Sequence, residues 1–251
     1  MPALDSLLTG LAMEGASGVL RVGRQGAVYL AGGRVTFMEC ASAIRFEEIL
    51  TAGGRVSEVE LRSAQKDGGQ RLVDDGVLSK AELQYCALTA TLDAAFFLLP
   101  VKSPRPKFVP DAEHWLGPQW FFEVSTLIRE SGRRRAELER AWSSAELDAA
   151  PVVPVRRLPG DRVMITSLQW EVLLNADGEA TPLTLARQLG RPAAKVLLAV
   201  RQLAAAGLLV HEVQRAASLP RRVRTDLPAE PHVPTDLDVL LRLRKALEEL
   251  A

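Results

Sequence analysis

The spacing of apolar residues changes period several times along this chain, and each change marks an element. Leu4, Leu7, Leu8 and Leu11 recur at helical intervals, so Ala3 to Glu14 is predicted to form a short amphipathic helix. The period then shortens. GVLRV (Gly18–Val22), AVYL (Ala27–Leu30) and RVTFMEC (Arg34–Cys40) are short and rich in β-branched or aromatic residues, with glycine turns between them. Gly32-Gly33 supplies residues that accept the positive φ of a tight hairpin. A three-stranded antiparallel meander behind a helix is the expected result.

An internal repeat follows. Leu50, Gly54, Val56, Ser57, Glu60 and Leu61 recur 22 positions later as Leu72, Gly76, Leu78, Ser79, Glu82 and Leu83. Ser57/Glu60 and Ser79/Glu82 are capping-box pairs: the serine starts a helix and the glutamate three residues on reaches back to it. Each glycine ends the preceding helix, so each copy predicts a helical corner. The second copy continues through Leu88, Leu92, Ala95 and Phe96 as a buried helix.

Pro100 to Pro110 is punctuated by proline and predicted to be extended. Trp120 to Trp142 returns to helical spacing, with Arg129, Arg133, Arg134 and Arg135 off its apolar side. Ala149 to Pro159 (AAPVVPVRRLP) has no periodicity, and its prolines stiffen it, so it is predicted to be an interdomain linker. Beyond it, Thr166 can cap a helix carrying Leu168, Trp170, Val172 and Leu173, and Asp177-Gly178 is a turn. Thr181-Pro182 starts a short helix that stops at Gly190. A longer helix runs from Pro192 to Ala206, and LLV (Leu208–Val210) and a basic segment with Arg215, Arg221, Arg222 and Arg224 follow. After the break at Pro228 to Pro234, Thr235 and Asp238 form another capping pair. The last predicted helix repeats Leu240, Leu243, Leu247 and Leu250, a stripe expected to be a partner interface, as in a homodimer.

Composition adjusts this outline at a few points. With 251 residues, 47% of them hydrophobic, the chain has material for one large domain or two modest ones. Formal net charge is zero, which excludes a globally electrostatic nucleic-acid binder. The charge is uneven, however: Val152 to Asp226 holds eleven Arg/Lys against six Asp/Glu. Cys40 and Cys86 have no metal-type spacing and are expected to be reduced core residues. The opening residues lack a basic signal-peptide start, and no apolar run approaches the roughly 20 residues of a membrane helix. A cytoplasmic protein is expected, with no membrane contact.

The helix, then Ser17-Gly18-Val19-Leu20, then the Gly32-Gly33-Arg34-Val35 hairpin and a buried helical segment resemble the PATAN-type domain, over about the first hundred residues. That domain is a small signalling module found near bacterial response regulators and small-GTPase systems. The resemblance implies protein–protein contact and carries no catalytic residues. The tandem copies are also similar to the repeats that bind cyclic di-GMP in type II secretion ATPases. Those carry an Arg-Leu-Gly triplet, of which the first copy keeps Arg45 (Arg45-Phe46-Glu47) and the second Gly69 (Asp67-Gly68-Gly69).

From Met164 to Val213 the order helix, short helix, turn at Gly190, longer helix, Gly207, strand resembles a winged helix. The order of a PATAN-like head and a winged-helix tail also resembles uncharacterised actinobacterial regulators. A winged helix implies that the longer helix enters a DNA groove. Arg187, Arg191, Lys195, Arg201, Gln202, Arg215, Arg221, Arg222 and Arg224 are the residues expected to contact DNA, chiefly its phosphates. Between Pro192 and Ala206 only Lys195, Arg201 and Gln202 are polar, which is few for base reading and equally suits a protein-docking platform. Clustering of the arginines near Lys195 and Arg201 on one face would favour DNA, whereas a surface pairing Leu198 with exposed aliphatics would favour docking.

No acid, base, nucleophile or metal constellation is recognisable. His114, His211 and His232 lack partners at ligand spacing, and no phosphate-binding glycine loop or nucleophile elbow is present. Trp115, Trp120, Trp142 and Trp170 are expected to be core anchors. The expected fold is α+β: a small antiparallel sheet with packed helices, then a winged-helix domain and a C-terminal amphipathic helix. The expected divisions are a partner-sensing region 1–145, a linker 146–160, the winged helix 161–226 and the last helix 235–251. The protein is read as a non-enzymatic, transcription-regulator-like molecule without cofactor or metal. The rivals are an adaptor in a small-GTPase or response-regulator circuit and, more remotely, a cyclic-dinucleotide sensor.

Overall fold

Leu4 and Leu8, one helical turn apart, put a single apolar face of α1 (Leu4–Met13) into the core. The chain reverses into β1 (Gly18–Val22), β2 (Gly26–Ala31) and β3 (Arg34–Cys40), an antiparallel meander as predicted. The β2–β3 hairpin turns on Gly32 and Gly33, with φ of 55° and 76°. Gly33 is required twice, because a Cβ there would also run into the Ala12 carbonyl at the end of α1. The proline-rich stretch forms a fourth strand, β4 (Lys107–Pro110), which pairs with β1 and gives the order β3-β2-β1-β4. The strand's one proline, Pro110, suits an edge strand, where a missing N–H is tolerated.

The computed structural model describes residues 4–52, 54–101, 106–158, 160, 162–210 and 245. Two units are distinguished, Met1–His211 and Glu212–Ala251. In the second, Lys245 is described, as an exposed helical residue.

Both copies of the repeat fold as corners. α2 (Phe46–Ala52) is followed by α3 (Glu58–Ala64), and α4 (Gln70–Asp74) by α5 (Lys80–Leu98). The Ser57 and Ser79 hydroxyls accept from the Glu60 and Glu82 amides at 3.3 and 3.2 Å. The glutamate carboxylates accept from the serine amides at 2.7 and 2.8 Å. Gly54 and Gly76 take left-handed φ of 66° and 69°. The repeated residues Leu50, Leu61, Leu72 and Leu83 converge with Phe37, Phe46, Leu116 and Trp120 in one cluster. A second cluster joins α1, Leu20, Val28 and Met38 of the sheet, and Ala94 and Leu98 of α5. Val124 and Leu127 of α6 (Val124–Ala141) complete it.

After a 3-10 turn at Glu146–Asp148 come α7 (Ser167–Asn175), α8 (Pro182–Leu189) and α9 (Ala193–Ala205). Among the described residues the chain is thus α+β, with a four-stranded antiparallel sheet and nine α-helices. No helix among them is long and apolar enough to cross a membrane.

The predicted linker is not one. Val152 is buried and its amide donates to Ala180 O at 2.9 Å. The Val155 amide donates to Leu208 O at 3.0 Å, and the Val210 amide to Val153 O at 2.8 Å, which aligns Pro154 opposite Leu209. The apolar residues between the prolines make this segment a short edge on the α7–α9 core rather than a hinge. Nor do residues 1–145 stand apart. Phe96 of α5, Leu138 of α6, and Ala194 and Leu197 of α9 share a buried cluster.

Asp93 fastens the same junction. It lies in α5 with 0% exposure. Its two oxygens accept from the Ala193 and Ala194 amides, each at 2.9 Å, and from the Ile44 amide at 3.2 Å. The carboxylate therefore caps α9 from another helix, at a terminus where N–H groups otherwise lack partners. Burial pushes its pKa up, against the pull of the three amides and Arg134.

Asp93→Ala strands up to three buried amides and should lower unfolding free energy by about 3 kcal/mol in urea titration. Asp93→Asn, which keeps one of the two acceptor oxygens but turns an NH2 donor toward the remaining amide, should lose less than Asp93→Ala without restoring wild-type stability. In hydrogen exchange, the Val152 and Val155 amides should be protected along with α9, whereas a free linker would exchange at once.

Candidate functional site

The residues expected on DNA occupy α8, α9 and the tight turn between them, where Gly190 takes φ of 62°. The turn is formed, but the longer helix is not presented outward. Nine of the thirteen α9 residues are buried. One side faces Val172, Leu185 and Leu209 of its own lobe, and the other faces Phe96 and Leu138. Its first amides, which a reading helix would bring to the DNA, bond to Asp93.

The side chains follow suit. Arg201, expected on an exposed face, is 5% exposed. Its guanidinium donates to both Asp148 oxygens at 2.8 and 2.6 Å and to Trp142 O at 2.8 Å. The structure contradicts a phosphate contact there, because the apolar neighbours of Arg201 draw it into the core and Asp148 neutralises it. Arg187 donates to Ala41 O at 2.8 Å, reaching from α8 to the end of β3. Arg191 forms a bidentate pair with Glu171 of α7 at 2.8 and 2.9 Å. Gln202 is exposed and accepts from Gln169 at 2.8 Å, and Lys195 projects into solvent. Arg215, Arg221, Arg222, Arg224, Leu240, Leu243, Leu247 and Leu250 lie outside the described residues.

Lys195 stands where two cavities meet. One, of about 330 Å³, lies between α6 and the α7/α9 pair and is floored by Leu168, Ala194, Leu198 and Ala199. The other, of about 610 Å³, continues past Leu168 and Arg191 to Ile49 and Tyr85 on the corner helices. Thr166, Leu168 and Lys195 border both, so together they form one groove. The basic rim includes Arg133 and Arg134, both bonded to Glu130 at 2.8 to 2.9 Å. The Arg133 and Arg134 guanidiniums hold the Glu130 carboxyl down at about 2. On the outer face of α7, Trp170 and Leu174 are 54% and 64% exposed. Trp170 is therefore not the core anchor expected of it: its helix offers Val172 and Leu168 inward instead.

A cluster that the sequence did not suggest sits on the sheet. His114 stacks on Phe37 at 4.1 Å and is buried. Its Nδ1 accepts from the Leu116 amide at 3.3 Å, which leaves the proton on Nε2, 3.1 Å from Glu39 Oε1. Tyr29 donates to the same carboxylate at 3.3 Å. The hydrogen bond from His114 lowers the Glu39 pKa, while burial and Glu39 push the Tyr29 pKa up to about 12. Both imidazole nitrogens are engaged, so the ring cannot take a proton from a substrate without breaking a bond. The cluster clamps the 111–120 loop to the sheet. The partners are 75 positions apart, beyond any spacing rule.

Beside it a cavity of about 410 Å³ is lined by Arg24, Glu39, Cys40, Arg45 and Glu47. Arg45, retained from the cyclic-dinucleotide motif, reaches Glu48 at 3.9 Å. Cys40 and Cys86 are free, half-buried thiols whose pKa values burial raises. Among the described residues, no group of three or more His, Cys, Asp or Glu could hold a metal ion. Comparison with protein-family models, with curated proteins and with solved structures returns no match.

Arg201→Ala should cost about 3 kcal/mol, the low end for a broken buried pair because Asp148 still reaches water, as read by urea unfolding. Glu130 has a folded pKa of about 2, below its ordinary 4.5, so its contribution is present above pH 4.5 and is lost as pH falls towards 2. The stability gap between wild type and Glu130→Gln should close over that interval.

Proposed function

We propose that the protein is an adaptor: a PATAN-like head fused to a winged-helix-like lobe that docks a protein rather than reading DNA. The α7–α9 order, the Pro182 start, the Gly190 turn and the edge at Leu209 support the winged-helix reading. The observation that carries the docking reading is the burial of α9 on both sides, with its first amides held by Asp93. Arg201 and Arg191, expected to grip phosphates, are spent on Asp148 and Glu171. Half-buried Leu198 and Leu168 line a groove floored by buried Ala199, an apolar trough that suits a docking platform although its aliphatics are not the fully exposed ones expected.

Fluorescence anisotropy with mixed-sequence duplex DNA tests this. The full chain should show no binding at low salt, where phosphate contacts are strongest. Affinity that falls with a log–log salt slope of about −0.9 per contact would return the protein to transcription regulation.

A further inference from the structure

The groove also indicates the kind of partner it takes. Resting on the docking reading, we infer that the groove between α6 and the α7/α9 pair receives an acidic amphipathic helix from a partner protein. Its lining is contributed by helices and their first turns, and among the described residues no strand borders it. An extended peptide would find no sheet edge among them with which to pair its backbone. A helix satisfies its own amides and needs only a trough for its apolar face. Ala194 and Ala199 keep the floor low between Leu168 and Leu198, leaving room for the occupant's side chains.

Charge selects the sequence of that helix. The rim carries Arg133, Arg134, Arg191 and Lys195 against Glu137 and Glu171; Glu130 and Glu171 already pair the three arginines, so Lys195 is the cation left to meet an incoming side chain. Lys195 stands at the junction of the two cavities, exposed, where an acidic side chain along the rim of a seated helix would meet it. Opposite potentials across such a contact steer encounter and reject basic helices. The occupant is thus a helix with aliphatics at i, i+3, i+4 and i+7 and carboxylates beside that stripe.

A random 16-residue peptide library displayed on phage and selected against the full chain provides the test. Enriched peptides should be net acidic with helical aliphatic spacing. Synthetic copies should bind Lys195→Glu about tenfold more weakly, while Lys195→Arg retains binding. Leu198→Ala should weaken binding several-fold, with circular dichroism confirming that each variant is folded. Enrichment of basic peptides, or affinity indifferent to Lys195 and Leu198, overturns the inference while leaving the adaptor reading intact. So does failure to enrich any peptide; the adaptor reading falls only if duplex DNA is bound as well. Self-association in sedimentation equilibrium that Lys195→Glu abolishes also overturns it, since the occupant would then be a second copy.

Discussion

The carboxylate of Asp93 fixes how the two halves of the first unit meet. A buried carboxylate is costly to maintain unless its oxygens are hydrogen-bonded, and here each oxygen has at least one amide partner. Those amides come from separate places: the start of α9 and Ile44, just before α2. One side chain therefore ties three segments distant in sequence. Because α9 begins on this cap, its direction is set by α5, and α7 and α8 are in turn built on α9.

That dependence explains why the helical lobe is not an appended module. A helix dedicated to a nucleic-acid groove must keep one face free, yet α9 lies between two apolar surfaces. Its alanines allow close approach on both sides. Arg187 of α8 adds a bond across the same junction, donating to the Ala41 carbonyl, while Ser131 and Arg135 fix α6 on α5 by donating to the Ala95 and Phe96 carbonyls. A junction made of directional bonds to backbone, rather than apolar contact alone, resists rocking of one lobe on the other.

What could be read in the sequence was local. The capping boxes at Ser57 and Ser79, the corners at Gly54 and Gly76 and the Gly32-Gly33 hairpin are short-range devices, each decided within a few residues, and each formed as expected; the Thr235/Asp238 pair lies outside the described residues. The 22-residue repeat was legible because identical local chemistry was written twice. Contacts across long separations were not legible. Asp93 looks like an ordinary helical acid until Ala193 arrives 100 positions later, and His114 lacks a carboxylate until the sheet supplies Glu39. Val152 to Val155 looked like a stiff linker because proline breaks periodicity whether the segment is free or paired. Arg201 was misread because a lone arginine among alanines resembles an exposed contact. Its partner Asp148 belongs to the stretch assigned to that linker, so one error produced the other. The groove itself was not legible: Lys195 pointed to DNA phosphates, Leu198 only to a conditional docking surface, and Arg133 and Arg134 lie in a helix read only as structural.

The rigidity of the junction bears directly on what the groove can do. Binding costs free energy wherever loops and side chains must be ordered, and a preformed site reduces that cost. Here the walls are α6, α7 and α9; the Gln169–Gln202 bond joins α7 to α9, and Arg201 of α9 donates to the Trp142 carbonyl at the end of α6. The ion pairs at the rim act in the same direction. Glu130 restrains Arg133 and Arg134, and Glu171 restrains Arg191, so three guanidiniums are positioned before any ligand arrives. Lys195, on its flexible four-carbon stem, is left as the exposed charge at the centre. A site with a fixed apolar floor and a single adaptable cation tolerates variation in where an acidic residue falls along an incoming helix, while still requiring that the helix carry one.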